Sequence, residues 1–202
     1  LDWDRPQLPV SSNTIMATML PGIQVDLGSL AKSEMNDQQR AQNDIDLYRR
    51  AVEDSPDNAL ACNNLAWTYL TAPESLRDPA AAVSLAEKAG QLADSANHCA
   101  MFRNTLGLAY LRSDRFTEAI DCLESNLTES DDQQLAFDLY LLSMCYYKLD
   151  EPARARDYLL WGDRWLSLIA IKNLNSAEQL TELNALRGEA QELLGVIEPK
   201  SK

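Results

Sequence analysis

The chain has 202 residues, a formal net charge of −13, 46% hydrophobic residues and only seven glycines. This composition supplies enough apolar side chains for a core and, with Leu and Ala abundant, favours helix over an all-β fold. The acidic balance disfavours nucleic acid and anionic membranes as partners because both require Lys and Arg, so we expect a protein or peptide partner that is neutral or basic.

Residues 1–35 are predicted to form an extended N-terminal arm. They contain Pro6, Pro9 and Pro21 and show no sustained helical period. The segment 15–30 is nevertheless too apolar for a disordered linker. Three partners for the arm are open: the groove of the chain's own repeats, a neighbouring domain, or a second copy of the chain. Because the chain starts at Leu1 without a leader, we also expect it to be part of a longer polypeptide.

One short pattern recurs three times along the rest of the chain. A leucine is followed by a small residue, and an aromatic residue stands three positions after the small one. The copies are Leu65-Ala66 with Tyr69, Leu106-Gly107 with Tyr110, and Leu142-Ser143 with Tyr146. A second apolar helix with alanines follows each copy. This is the signature of the tetratricopeptide repeat, in which a small residue lies at the contact of two antiparallel helices.

The repeats predict helices in the following order. A partial repeat spans about 36–58 and ends at Pro56, which cannot continue a helix. Three pairs then follow in 59–94, 100–131 and 134–167, within a repeat region of 36–170. Their helices are predicted at Ala59–Thr71 and Pro79–Leu92, at Ala100–Arg112 and Phe116–Leu127, and at Gln134–Leu149 and Pro152–Leu166. The unit of about 34 residues is stretched in its turns, most visibly at 72–78.

The C-terminal segment 171–202 is predicted to contain a capping helix and a tail. The helix Ser176–Leu194 opens with a capping box and is expected to stop at Gly195 in a left-handed conformation. Its leucines share one face, which would cover the last apolar surface of the stack. The predicted fold is therefore all-α: a right-handed α-α superhelix of helical hairpins with a C-terminal capping helix and an extended N-terminal arm.

Several segments of the sequence resemble a particular group of repeat proteins. They are 63–67, 76–79, 82–89, 104–107, 136–140 and 153–156, with Trp165. Together they resemble the C-terminal tetratricopeptide region of large bacterial proteins of the planctomycete type, many of which carry a serine/threonine kinase domain upstream. The resemblance covers roughly 44–195 and implies a scaffold attached to other domains. The Gly-rich and H-R-D motifs of a kinase do not occur in this chain, so any phosphotransfer would lie outside it.

The first helix of each pair is expected to line the concave inner face of the superhelix and to bind an extended peptide there. Fifteen residues are predicted to form this surface: Leu60, Asn63, Asn64, Trp67, Leu70, Met101, Asn104, Thr105, Leu108, Arg112, Phe137, Tyr140, Met144, Tyr147 and Lys148. Asn63, Asn64 and Asn104 have two interpretations. They resemble an asparagine ladder that holds peptide backbone, and they also fit bonds between adjacent helices.

Two further features each leave two interpretations. The stretch 116–147 has seven Asp or Glu and no Lys or Arg, which suits either a solvated face or a docking patch for a basic segment. Trp161 and Trp165 are expected to pack under the capping helix, the alternative being a ligand site.

The four cysteines form no C-x-x-C pair and accompany a single histidine, His98. We expect buried thiols, no metal site and no cofactor, and a reducing compartment such as the cytoplasm.

Three classes of function follow from these observations. The first is a non-catalytic scaffold that binds a protein or peptide along its concave face. The second is a self-association module, with an upstream kinase or other domain supplying activity. The third is an enzyme, for which the sequence offers only His98 beside Cys99 and no phosphate loop. The sequence therefore predicts a binding module and not a catalyst.

Overall fold

The computed structural model describes residues 36–93, 96–129, 135–172 and 177–196. The predicted arm, 1–35, lies outside these ranges. The helices are α1 (Asp37–Asp54), α2 (Ala59–Thr71), α3 (Pro79–Gln91), α4 (Ala96–Arg112), α5 (Phe116–Glu129), α6 (Leu135–Lys148), α7 (Pro152–Lys172) and α8 (Ala177–Leu193), with a 3₁₀ turn at Glu74–Leu76. The described ranges contain no strand, so the predicted all-α class is confirmed.

Side-chain caps fix where α1, α2 and α3 begin. The side chains of Asn36, Asn58 and Asp78 each accept a hydrogen bond from the backbone N–H three residues on, at 2.8, 3.0 and 3.0 Å. Each bond satisfies a donor that the first helical turn leaves unpaired, which stabilises a helix by about 1 kcal/mol. Pro79 occupies the first helical position of α3, where a missing N–H costs little.

The second and third hairpins share one turn geometry. Asp114 and Asp150 both adopt a left-handed backbone, with φ of 57° and 60°. The N–H of the following residue then donates to the carbonyl of Tyr110 or of Tyr146, at 2.9 Å in both turns. Helix α8 stops in the same way at Gly195, whose φ is 68°; the predicted stop is confirmed.

The small residue of the repeated pattern lies at the contact between the two helices of a hairpin. A Cβ placed on Gly107 of α4 would lie 2.5 Å from Leu123 Cδ2 of α5, closer than carbon atoms can approach. In the third hairpin, Ser143 of α6 donates its hydroxyl to the carbonyl of Ala155 of α7 at 2.7 Å. Both contacts require a small side chain, as the tetratricopeptide pattern predicts.

The hairpins α2–α3, α4–α5 and α6–α7 stack in chain order, and the first helices α2, α4 and α6 also contact one another. They therefore form one continuous side of the stack, which we call the inner face. Helix α8 packs mainly against α6 and less against α7, so it lies toward the inner face. None of the helices in the described part is long and apolar enough to cross a membrane.

Several details differ from the sequence prediction. Helix α4 begins at Ala96, not Ala100, and α7 continues to Lys172, six residues beyond the predicted end. Because α8 sits toward α6, it leaves part of α7 uncovered: Trp161 is 55% exposed and Leu160 63%. Trp161 therefore does not pack under α8 as expected, whereas Trp165 is half-buried against the main core.

We predict that Gly107→Ala destabilises the protein by about 1–3 kcal/mol because its new methyl group overlaps the buried Leu123. Gly188→Ala is the matched control, since this mid-helix glycine of α8 has no atom within 4 Å of an added Cβ. The control should be neutral or stabilising by up to about 1 kcal/mol. Urea denaturation measures both; equal effects at the two positions would contradict the close contact.

Candidate interaction surface on the inner face

The structure divides the fifteen predicted binding residues into two sets. Eight are buried in the interior: Asn63, Leu70, Asn104, Thr105, Leu108, Phe137, Tyr140 and Met144. Seven keep solvent access: Leu60, Asn64, Trp67, Met101, Arg112, Tyr147 and Lys148. The buried set cannot touch a docked peptide in this conformation, because other parts of the chain already cover those side chains. The prediction of a binding surface is thereby narrowed to the accessible set.

The accessible residues do not form one surface. Leu60 and Met101 pack at the edge of a small cluster around Phe102. Tyr147 and Lys148 lie exposed at the end of α6. Asn64 and Trp67 share the wall of a cavity described below. The structure therefore brings together only this last pair in a concave site.

Asn104 takes part in a bond between helices. Its Nδ2 donates to Asp138 Oδ1 of α6 at 3.0 Å. Asn126 of α5 donates to the same carboxyl group at 3.2 Å and also to the carbonyl of Ala100 at 2.9 Å. Of the two interpretations of this asparagine, the structure shows the bond between adjacent helices.

The carboxyl group in this network is fully buried. Burial raises the pKa of Asp138 to about 7, although the hydrogen bonds from Asn104 and Asn126 act in the opposite direction. A charged group in an apolar interior loses its hydration, and two neutral amides replace only part of it. Asp138 therefore titrates near neutral pH. Because its carboxyl group is buried, Asp138 cannot contribute to an acidic surface patch in the stretch 116–147.

A second acid of that stretch is also engaged. Glu124 accepts hydrogen bonds from the hydroxyls of Tyr146 and Tyr158, at 2.7 and 3.2 Å. The two tyrosine rings are stacked 5.3 Å apart. Glu118 pairs with Arg115 at 3.0 Å. Asp138, Glu124 and Glu118 thus each have different contacts and do not form one patch.

Helix α8 lies across the inner face and contacts the first helix of each of the three hairpins. Trp67 of α2 donates its indole N–H to Glu182 at 3.2 Å. The guanidinium of Arg112, at the end of α4, makes two bonds to the carboxylate of Glu189, one of them 2.6 Å long. Leu183, Leu186 and Ala190 are buried in the same core as α6.

A third polar contact fixes α8 to the last hairpin. Asp163 of α7 accepts from Arg187 of α8 at 2.7 Å and from the hydroxyl of Tyr140 of α6 at 3.1 Å. The ring of Tyr140 lies against Gly162, where an added Cβ would be 2.7 Å from a ring carbon. Burial and the neighbouring carboxylate both raise the pKa of Tyr140, so its hydroxyl remains a donor at neutral pH.

The N-terminal end of the inner face remains open as a cavity of about 520 Å³. Residues from α1, α2, the 72–77 segment and α8 line it: Asp37, Arg40, Ala41, Asp44, Tyr48, Asn64, Trp67, Thr68, Thr71, Ala72, Pro73, Arg77 and Glu182. Aromatic and amide groups occur here beside charges of both signs. Among the described residues, the side-chain amide of Asn64 has no hydrogen-bond partner.

The residues that the sequence prediction missed come from outside the first helices. Tyr48, Arg40 and Arg77 line the cavity from the partial repeat and from the long turn. Glu182 and Glu189 of α8 are the partners of Trp67 and Arg112. One sequence signal existed for the last two: they are seven residues apart, two helical turns, and therefore on one face.

The described residues offer little that resembles a catalytic centre. No group of three His, Cys, Asp or Glu side chains is close enough there to hold a metal ion. Burial raises the pKa of Cys122 to about 11 and of Cys145 to about 12, whereas a nucleophilic cysteine requires a lowered value. The side chain of His98 lies outside the described part.

Comparison with known proteins yields no matching family model and no matching curated protein. Among solved structures, the chain is similar to the crystal structure of MamA, with 22% sequence identity and a TM-score of 0.49. The match covers 86% of this chain and 93% of that chain.

We predict that Asp138→Asn raises the stability of the protein, relative to the wild type, more at pH 8 than at pH 5. In the unfolded chain an Asp ionises near pH 4, but in the fold Asp138 holds its proton to about pH 7. The unfolded state thus binds fewer protons between these values, and the wild type loses stability as pH rises through them. The difference between variant and wild type should grow by about 1–3 kcal/mol from pH 5 to pH 8.

Urea denaturation at the two pH values measures this difference. Asp121→Asn is the control, since Asp121 is exposed on α5 and its replacement should show no comparable pH-dependent gain. A difference between Asp138→Asn and wild type that stays constant from pH 5 to pH 8 would show that the buried carboxyl group does not titrate in this range.

Proposed function

We propose that the chain is a non-catalytic scaffold that binds a peptide segment of a partner protein in the open cavity at the N-terminal end of its inner face. The observation that carries this proposal is the combination of Asn64, Trp67 and Tyr48 in one concave site of about 520 Å³. An indole and a phenol ring give contact area, and an unpaired amide can both donate to and accept from peptide backbone. Binding sites commonly combine these features.

The charges of the cavity bear on the choice of partner. Arg40 and Arg77 lie on its wall together with Asp37, Asp44 and Glu182. Arg77 also donates to the carbonyl of Ala72 at 2.8 Å, which holds it over the long turn. Both signs of charge are available, so the net charge of −13 does not by itself select a basic peptide. The site suits a segment with mixed charge and one apolar anchor.

Self-association is the second candidate function, and the outer face of α7 favours it. Leu160, Trp161 and Leu168 are 63%, 55% and 42% exposed there. This is the side on which a further repeat would pack, and large apolar side chains left open at the end of a stack can pair with a second copy. Sedimentation at micromolar concentration tests it: a monomer in both the wild type and Trp161→Ser would exclude this candidate.

We predict that Asn64→Ala weakens binding of peptides selected on the wild-type chain by about tenfold, because one backbone-directed amide is worth about 1.4 kcal/mol. The peptides come from display of a random library, and their affinities are measured by fluorescence anisotropy. Asn184→Ala is the matched control: Asn184 is exposed on α8 and bonds only within that helix, to the carbonyl of Leu180.

The control variant should bind the selected peptides like the wild type. Failure of the library to yield binders, or equal affinity for wild type and Asn64→Ala, would count against the cavity as a peptide site.

A further inference from the structure

Helix α8 is held against the inner face by a pattern that resembles a ligand in its receptor. Its apolar residues Leu183, Leu186 and Ala190 are buried on one side, while Asn184 and Ala185 on the other side are exposed. Glu182 and Glu189 flank the apolar group and meet N–H donors of two different repeats. The two glutamates are seven positions apart, which corresponds to about 10 Å along a helix, so the two donors require carboxylates at a fixed spacing.

The position of α8 differs from that of a further repeat. In this stack each first helix packs on the second helix of the preceding hairpin, as α4 does on α3 and α6 does on α5. Helix α8 instead packs mainly on α6 and reaches Trp67 and Arg112 in the two earlier repeats. It therefore occupies the surface that the stack offers to a partner and does not lengthen the stack.

The packing of α8 is also sparse compared with that of its neighbour. Helix α6 buries every residue from Ala136 to Tyr146. In the described part of α8, burial is limited to Gln179, Leu183, Leu186 and Ala190. Elements with few buried apolar contacts open at lower free energy than the core. Three polar contacts, made by Glu182, Arg187 and Glu189, supply much of what orients α8.

The inner face presents hydrogen-bond donors where α8 brings two of its carboxylates. Trp67 and Arg112 direct N–H groups at carboxylates, although the chain as a whole carries −13. A generally acidic protein repels acidic partners at long range. An acidic helix is therefore accepted only where its carboxylates match these donors, which makes the spacing of the two glutamates the selective element.

We propose that the inner face is a receptor for an acidic amphipathic helix of a partner protein, with two carboxylates two turns apart around a leucine pair, and that α8 is its built-in competitor. This inference rests on the proposed scaffold function and extends it to the α4 and α6 part of the inner face, while Trp67 and Glu182 also belong to the wall of the open cavity. Helix-in-groove recognition works through apolar anchors at helical spacing, here 183, 186 and 190. The partner helix binds when it displaces α8.

The test uses the full chain and a fluorescein-labelled synthetic peptide of residues 177–196. In the double variant Glu182→Gln/Glu189→Gln the resident helix loses both carboxylates, so the labelled peptide should bind this variant at least tenfold more tightly than the wild type. A peptide carrying the same two Gln substitutions should bind the variant at least tenfold more weakly than the unmodified peptide. A peptide with Glu192→Gln is the control, since Glu192 is exposed, and its affinity should not change.

Circular dichroism and urea denaturation establish that the double variant is folded. If it is not, the single variant Glu182→Gln, which keeps the Arg112–Glu189 pair, replaces it, with a peptide Glu182→Gln as its matched ligand. Equal affinity of the labelled peptide for wild type and variant, no binding to the variant, or equal binding of the Gln-substituted peptide would each overturn the proposal. If the wild type is a dimer and the peptide dissociates it, the occupant of the inner face is a second copy of the chain. That outcome would overturn the proposal of an external partner.

The outcome is separable from failure of the proposed cavity site. Among the described residues Asn64 makes no hydrogen bond to α8, so Asn64→Ala should leave the affinity for the 177–196 peptide unchanged while it weakens the library-selected peptides. Loss of selected-peptide binding alone therefore bears on the cavity, and loss of 177–196 binding alone bears on the α8 surface.

Discussion

The close contact between the two helices of each hairpin is the constraint on which the rest of the structure depends. Gly107 lies directly against Leu123, and Ser143 bonds to the backbone of α7 through its hydroxyl. Only a small side chain permits helix axes to approach this closely. Because the first and second helices of a hairpin are drawn together, the three first helices come to lie side by side, and the inner face exists as a continuous surface.

That surface is narrower than an open solenoid would provide. Trp67 of α2 meets Phe137 of α6 edge to face, with ring centroids 6.0 Å apart, so side chains from the first and third repeats touch across it. Helix α8 covers what remains beside α6. The polar residues of the first helices consequently include an interior network around Asp138, which a ligand from solution cannot reach, and part of the wall of a cavity at one end.

The sequence was informative where the structure is determined by local or repeated features. The break at Pro56 and the left-handed stop at Gly195 are local, and each follows from the residue itself. The burial of Phe137 and Tyr140 could not be predicted in this way, because it depends on contacts with other helices, such as Trp67 of α2 and Gly162 of α7. Helical periodicity shows which residues share a face, but it does not show what covers that face.

The same limit applies to the position of α8. Its apolar period predicted a helix that covers an exposed end of the stack, and Leu183 and Leu186 on that face are buried. Its polar partners are Arg112 of α4, for Glu189, and Asp163 of α7, for Arg187, and such long-range partners are not specified by spacing within one helix. Arg112 was singled out from its own helix, but its acidic partner lies in another.

The reach of α8 across several repeats also bears on how the molecule loses its structure. In a stack where each unit touches only its neighbours, the ends can melt while the middle persists. Here one helix joins Trp67 near the beginning of the stack, Arg112 in its middle and Asp163 near its end. While α8 stays bound, separation of either terminal hairpin must break contacts with this helix, so α8 couples the unfolding of the two ends of the array.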